Sequence, residues 1–179
     1  MKISWKRAFY VGGFLALLCG VLGLAIAGGD LLTKETIASN KIKKETEGLR
    51  KVFGDNCAYG EAVAVKDEDY PYISKYWTVR NENQDLGRVY AVSGSNAYGD
   101  VSLLVGIAAD YSLGNVVTLE NTESYAATLE DGYLIPYGKA SDKEKAVEEV
   151  KCGATYGAKL CRDMIRSAQS HYKEGGKHE

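Results

Sequence analysis

Arg88-Val89-Tyr90-Ala91-Val92, then Val101-Ser102-Leu103-Leu104-Val105-Gly106-Ile107-Ala108, then Asn115-Val116-Val117-Thr118-Leu119: three runs of β-branched, aromatic and aliphatic residues stand in the middle of the chain, separated by Gly, Asn, Asp and Ser. Short apolar runs bounded by turn residues read as strands. Residues 62–65 and 76–79 read the same way upstream. Regularly spaced short strands followed by a helix-prone C-terminus predict an α+β domain with an antiparallel sheet and flanking helices.

Downstream, Leu160, Met164 and Ala168 recur every four residues. Ile165 widens their stripe, and Lys159, Arg162, Asp163 and Arg166 occupy the other side. That period predicts an amphipathic helix, with Gly175-Gly176 as its stop. Residues 141–151 are charged and helix-prone, with Ser141 as N-cap and Glu144 at the capping-box distance. Residues 31–52 carry Leu32, Ile37, Ile42 and Leu49 at loosely helical spacing, which predicts a stalk helix ended by Gly54-Asp55-Asn56.

Cys152-Gly153-Ala154-Thr155 opens the C-terminal stripe. A helix N-terminus presents unpaired N–H groups and a partial positive charge, so a threonine hydroxyl there is placed to carry a phosphate. The glycine lets the backbone approach a ligand closely. The same residues also read as an ordinary turn and N-cap.

The segment resembles the Ser-Gly-Ala-Thr flavinylation motif of the FMN-binding domain family, in which a transferase moves FMN from FAD onto the threonine hydroxyl as a phosphoester. Cys152 stands at the usual serine, Gly157 at a usual serine or threonine, and Glu149 at the acidic position three places ahead. Leu86-Gly87-Arg88-Val89-Tyr90-Ala91-Val92 is similar to a strand of the family. Ala97-Tyr98-Gly99-Asp100-Val101 and Leu103-Leu104-Val105-Gly106-Ile107 are similar to its GYGG-x-I-x-LLVGI signature. Val116 to Ser124 matches a strand leading into H-x-E-T-P-G-L-G, with Asn121 for the histidine and Tyr125, Ala126, Ala127 and Thr128 for Pro-Gly-Leu-Gly.

With the N-terminal segment included, the resemblance covers nearly the whole chain. It implies covalent FMN on Thr155, with Tyr98, Gly99, Glu123, Ser124, Ala127, Cys152, Gly153, Ala154 and Tyr156 around it. Tyr98-Gly99 also reads as a plain hairpin turn, and Glu123 as a solvated strand-end charge. The implied role is an electron-transfer subunit rather than a self-contained enzyme, since the flavin supplies the redox chemistry and the protein its position and potential. The nearest type is the G subunit of the Rnf complex, an ion-translocating ferredoxin:NAD oxidoreductase. Its partners are other membrane and redox subunits, and an FAD-dependent FMN transferase matures it. The C subunit of the sodium-translocating NADH:quinone reductase, whose exported domain is longer, and a stand-alone flavinylated carrier are the related alternatives.

Residues 8–29 form an uncharged, mostly apolar run. As a helix rising ~1.5 Å per residue, a run of this length spans the ~30 Å hydrocarbon core. The expected organisation is therefore a cytoplasmic segment 1–7, a transmembrane helix 8–29, a stalk 30–53 and an FMN-binding domain 54–179. A cleaved signal peptide is the competing reading, with Lys2, Lys6 and Arg7 as its basic region and Ala25-Ile26-Ala27 at the cleavage site; its apolar region is typically ~7–15 residues, shorter than this run. Cys19 follows Leu18 where a lipoprotein signal needs a small residue. Gly12, Gly13, Gly20 and Gly23 suit close helix packing, or simply the glycine-rich composition of membrane helices. Lys34, Lys41, Lys43 and Lys44 nearly balance the basic residues ahead of the run, so charge does not orient it. The resemblance places the C-terminal domain outside the cytoplasm, at the cell membrane.

A net charge of −2 leaves no basic face for nucleic acid. Thirteen tyrosines against three phenylalanines suit strands and wet ligand surfaces. Cys57, Cys152 and Cys161 are an odd set; a bridge, if one forms, is expected to join Cys57 to one of the others. No metal site is expected, because the spacing is not CxxC-like and only His171 and His178 could supplement the thiols. Two further classes remain: a thiol enzyme using Cys152 at the helix N-terminus, and a non-redox membrane-anchored scaffold.

Overall fold

The computed structural model describes residues 5–82 and 84–175, without the side chains of residues 7, 8, 25–27, 29–35 and 38. Lys2, Arg7, Ala8, Ala25-Ile26-Ala27, Gly29, Leu32, Lys34, Gly176 and His178 therefore lie outside the residues whose side chains are described. The chain divides into a unit ending at Lys43 and a compact unit beginning at Lys44.

Helix α1, Trp5–Phe53, covers the first unit and enters the second. Every side chain from Phe9 to Leu24 is exposed, and none is charged. Among the described residues, no helix is long and apolar enough to cross a membrane.

The second unit is built on a sheet of β1 (Ala58–Tyr59), β2 (Val63–Ala64), β3 (Ile73–Asn81), β4 (Gln84–Asn96), β5 (Gly99–Ala108) and β6 (Leu113–Asn121). The order is β1-β3-β4-β5-β6, with β2 also on β3, and every pairing is antiparallel. The α+β class with an antiparallel sheet and flanking helices is thus the architecture of this unit. Strands β3 to β6 outrun the apolar runs that announced them, because pairing continues through polar residues: Ser93 faces Ser102 and Ser95 faces Asp100. The run at 62–65 shortens to an exposed two-residue edge strand, and the two-residue β1 has no apolar run to announce it.

Alternation along β4 and β5 sorts side chains onto two faces. Tyr90, Val92, Leu103, Val105 and Ile107 enter the core beneath the C-terminal helix. Val89, Ala91 and Leu104 join Trp77 and Val79 against Leu49 and Val52 of α1. Gly48 lets α1 come this close, since a Cβ there would lie 2.7 Å from Leu104 Cδ1. Helix α1 then stops where its sequence signal stands: Gly54 takes φ 103°, and its N–H donates to Arg50 O at 2.8 Å.

The C-terminal helix α5, Thr155–Gly175, buries Leu160, Met164, Ile165 and Ala168 against the sheet as the stripe predicts. Each of the larger three contributes roughly 1.5–3 kcal/mol by leaving water. Arg166 on its outer side is bound by Glu144 at 2.5 Å and Glu148 at 2.8 Å.

Between β6 and α5 the structure departs from the sequence reading. Residues 126–139 coil as α2 (Ala126–Leu129), a π turn (Glu130–Leu134) and α3 (Ile135–Lys139). Leu129, Tyr133 and Tyr137, four apart, are buried. The helix expected over 141–151 is only a single turn, α4 (Lys143–Ala146), capped by Asp142 rather than Ser141. Beyond it the chain tightens into turns, with the Glu148 N–H donating to Lys145 O at 3.1 Å and the Glu149 N–H to Ala146 O at 3.2 Å, while the Val147 carbonyl accepts from the Tyr133 hydroxyl at 2.8 Å and ties the chain to the core. A bridge, if one formed, was expected to join Cys57 to Cys152 or Cys161, and none is present among them. All three are free thiols; Cys57 packs with the α1 face of the sheet and the other two with the α5 face, so the sheet lies between them.

Candidate functional site

Three chain segments meet at the N-terminal end of α5. The first is the β4–β5 turn, where the Asn96 side chain accepts from the Tyr98 N–H at 2.7 Å and Gly99 takes φ 145°. A side chain at Gly99 would collide with Thr122 O at 2.6 Å, so the glycine is what lets the segment after β6 lie against this turn. The second is that segment itself. Asn121 closes it, accepting from the Glu123 N–H at 3.2 Å and donating to Ala126 O at 3.5 Å. The third is the first turn of α5, where the Thr155 hydroxyl donates to Cys152 O at 3.1 Å and remains exposed.

Between them lies an open cleft of about 210 Å³ lined by Tyr98, Glu123, Tyr125, Gly153, Ala154, Thr155, Tyr156 and Gly157. Three tyrosines form its collar. Tyr98 stands edge-on to Tyr125 and tilted to Tyr156, both at 5.7 Å between ring centres. These residues are 41 %, 55 % and 65 % exposed for Tyr98, Tyr125 and Tyr156, unusual for side chains with so much apolar area.

Glu123 is not a solvated charge: only 6 % of it is exposed. Its carboxylate accepts from the Asn96 amide and presses on Gly157, where the space for a Cβ is filled by Glu123 Oε1 at 2.7 Å and by Oε2. Gly157 is therefore the residue this packing requires, which explains why neither serine nor threonine stands there. A carboxylate at the first turn of a helix also complements the partial positive charge of its N-terminus.

Of the residues expected around Thr155, Tyr98, Glu123, Gly153, Ala154 and Tyr156 line the cleft with it. Four others do not line it. Ser124 holds the Tyr98 carbonyl through its N–H at 2.9 Å and its hydroxyl at 3.4 Å. Gly99 shapes the turn, Cys152 is half-buried against the α5-face core, and Ala127 is exposed on α2. Tyr125 and Gly157 belong to the cleft and were not expected; Gly157 was legible as a departure from the motif, whereas Tyr125 was marked only as a replacement for proline.

The other thiol of this region, Cys161, is fully buried. Burial, reinforced by the Glu123 charge, pushes the Cys161 thiol far above its ordinary range. The described histidine, His171, lies on the last turns of α5, about 24 Å from Thr155 at ~1.5 Å rise per residue. No group of three or more metal-ligating side chains is assembled among the described residues. No family model matches this chain and no curated protein matches it.

Proposed function

We propose that this chain is a membrane-anchored flavoprotein subunit carrying FMN as a phosphoester on Thr155 and relaying electrons within an Rnf-type complex. The observation that carries the reading is an exposed threonine hydroxyl in the first turn of a long helix, opening into a cleft collared by three exposed tyrosines. The ordered blocks of sequence that resemble the FMN-binding domain family support it.

The residues fit the group. A phosphate on Thr155 Oγ1 would lie by the orphan N–H groups of α5, and the flat faces of Tyr98, Tyr125 and Tyr156 suit a fused aromatic ring. Because Glu123 already answers part of the helix's positive end, a covalent ester retains the phosphate better than charge alone would. The cleft is smaller than the ~300–1,000 Å³ typical of enclosing ligand sites, so Tyr98, Tyr125 and Tyr156 cover a ring only in part and leave an edge open to a redox partner. When bound, FMN supplies one- and two-electron transfer. An FAD-dependent FMN transferase matures the protein: Thr155 Oγ1 gains the bond to phosphorus as it gives up its proton, and AMP leaves. The thiol-enzyme alternative lacks a histidine beside Cys152 among the described residues, because His171 is at the far end of α5.

Intact mass of the protein purified with its transferase should show one FMN added with loss of water, and Thr155→Ala should remove both the added mass and the in-gel flavin fluorescence. Fluorescence surviving in that variant would sink the assignment.

The anchor and its orientation belong to the same proposal. The exposed, uncharged α1 side chains from Phe9 to Leu24 are supported as a lipid-facing surface by their composition. Protease added to intact spheroplasts should digest the C-terminal domain; protection until lysis would reverse the topology.

A further inference from the structure

The turn that carries Thr155 rests on a helical segment outside both the motif and the cleft. Gly132 sits within the π turn, and a Cβ there would lie 2.6 Å from Cys152 Cβ and 3.7 Å from its Cα. Four residues earlier, Thr128 Cγ2 is 3.3 Å from where a Cβ on Gly153 would stand. Residues four apart share a helix face, so Thr128 and Gly132 make one shelf beneath Cys152 and Gly153.

The shelf is fixed from behind. Leu129 and Tyr133 are buried in the core, and the Tyr133 hydroxyl is tied to Val147 O. A Cβ cannot swing aside by side-chain rotation, so any side chain at 132 has to displace the turn or the shelf. Since the shelf is held by the core and the turn is half-exposed, the turn gives. π turns are frequent at functional sites, and here the widened turn and the missing side chain together form the recess that receives Cys152.

We infer that Gly132 is a positioning residue for Thr155, setting the height at which the threonine hydroxyl is offered at the cleft. The inference rests on the reading of Thr155 as the attachment point. Cys152 enters the recess through its Cβ, so the contact does not depend on the sulfur and serine keeps it.

The test uses the full chain, co-produced with the transferase, in a background with Cys19→Ser and Cys57→Ser. Two quantities are read: the fraction carrying FMN by intact mass after a short production time, and the rate at which Cys152 reacts with a maleimide. Gly132→Ala is expected to lower the flavinylated fraction about tenfold or more, because a displacement of ~1 Å can cost ~10²-fold in a positioned reaction. It should also speed Cys152 alkylation. Adding Cys152→Gly to Gly132→Ala removes the colliding Cβ and should raise flavinylation to the level of Cys152→Gly alone, the reference because position 152 belongs to the attachment motif; general destabilisation would not give that rescue. Normal flavinylation of Gly132→Ala, or a double variant no better than the single, overturns the positioning role. Should the parent chain carry no FMN, the attachment reading falls by itself; alkylation of Cys152 then still decides the shelf, with a faster rate in Gly132→Ala upholding it and an unchanged rate sinking it.

Discussion

Helix α5 has a cluster of tyrosines at each end, and the two are built to opposite plans. At the C-terminal end, Tyr90 is fully buried and its hydroxyl meets His171 Nδ1 at 3.2 Å. Arg88 lies over the rings of Tyr76 and Tyr172 at 4.8 and 4.6 Å. Tyr111 stands edge-on to Tyr172 at 5.0 Å. There the ring faces are already occupied by a cation and by one another, and burial pushes the Tyr90 hydroxyl well above its ordinary range. At the N-terminal end, Tyr98 meets Tyr125 edge-on and Tyr156 at a tilt, and all three remain exposed beside Thr155. The same residue type thus makes structure where it is buried against a cation and other rings, and offers a surface where its ring contacts stay exposed.

The comparison is broken most directly by truncation. Tyr90→Ala should cost ~3–5 kcal/mol, as for other large buried aromatics, and Tyr156→Ala should stay within ~0.5 kcal/mol. Urea unfolding monitored by tryptophan fluorescence measures both; equal losses would mean that the exposed collar is structural as well. An intermediate effect is expected at the join between the collar and α5. Gly157→Ala forces a methyl against the Glu123 carboxylate and should cost ~1–3 kcal/mol, read as a lower urea midpoint with an unchanged slope.

The smallest effect sharpens the other end. Burial, with Arg88 close by, holds His171 below its ordinary value of 6.5, although Asp67 and Glu174 pull the other way. Tyr70, Tyr76 and Tyr90 also face it. The folded state therefore favours the neutral imidazole. Its contribution to stability is complete above 6.5 and is lost as pH falls through the lower folded value. His171→Asn should flatten the decline of the urea midpoint over that acidic interval, while Tyr156→Ala leaves the decline intact. A decline as steep in His171→Asn as in the parent would remove His171 from the account.

The sheet and α5 were legible because their periods are unmixed: Leu103, Val105 and Ile107 alternate with Ser102 and Leu104, and Leu160, Met164 and Ala168 repeat every four. Segment 126–139 hid a period of the same quality. Leu129, Tyr133 and Tyr137 are spaced as regularly as the α5 stripe, but Gly132 and Pro136 stand among them and read as breakers. The fold accommodates both: Pro136 comes within the first turn of α3, directly after the π turn, and Gly132 is wanted for its missing side chain. At the cleft, Thr155 and Tyr98 lay in motifs and could be named. Glu123 could be named but not understood, since its burial depends on Asn96 and Gly157, two residues that no local pattern connects to it.

That last contact also bears on the order of assembly. Asn96, Glu123 and Gly157 come from a hairpin, the segment after β6 and the start of α5, and the hydrogen bond between the first two already spans 27 residues. Contacts of long sequence separation pay their loop-closure entropy before they return anything. The cleft is assembled from three segments far apart in the chain and exists only when all of them have docked, so it is expected to form late in folding and a group seated there to mark completed chains.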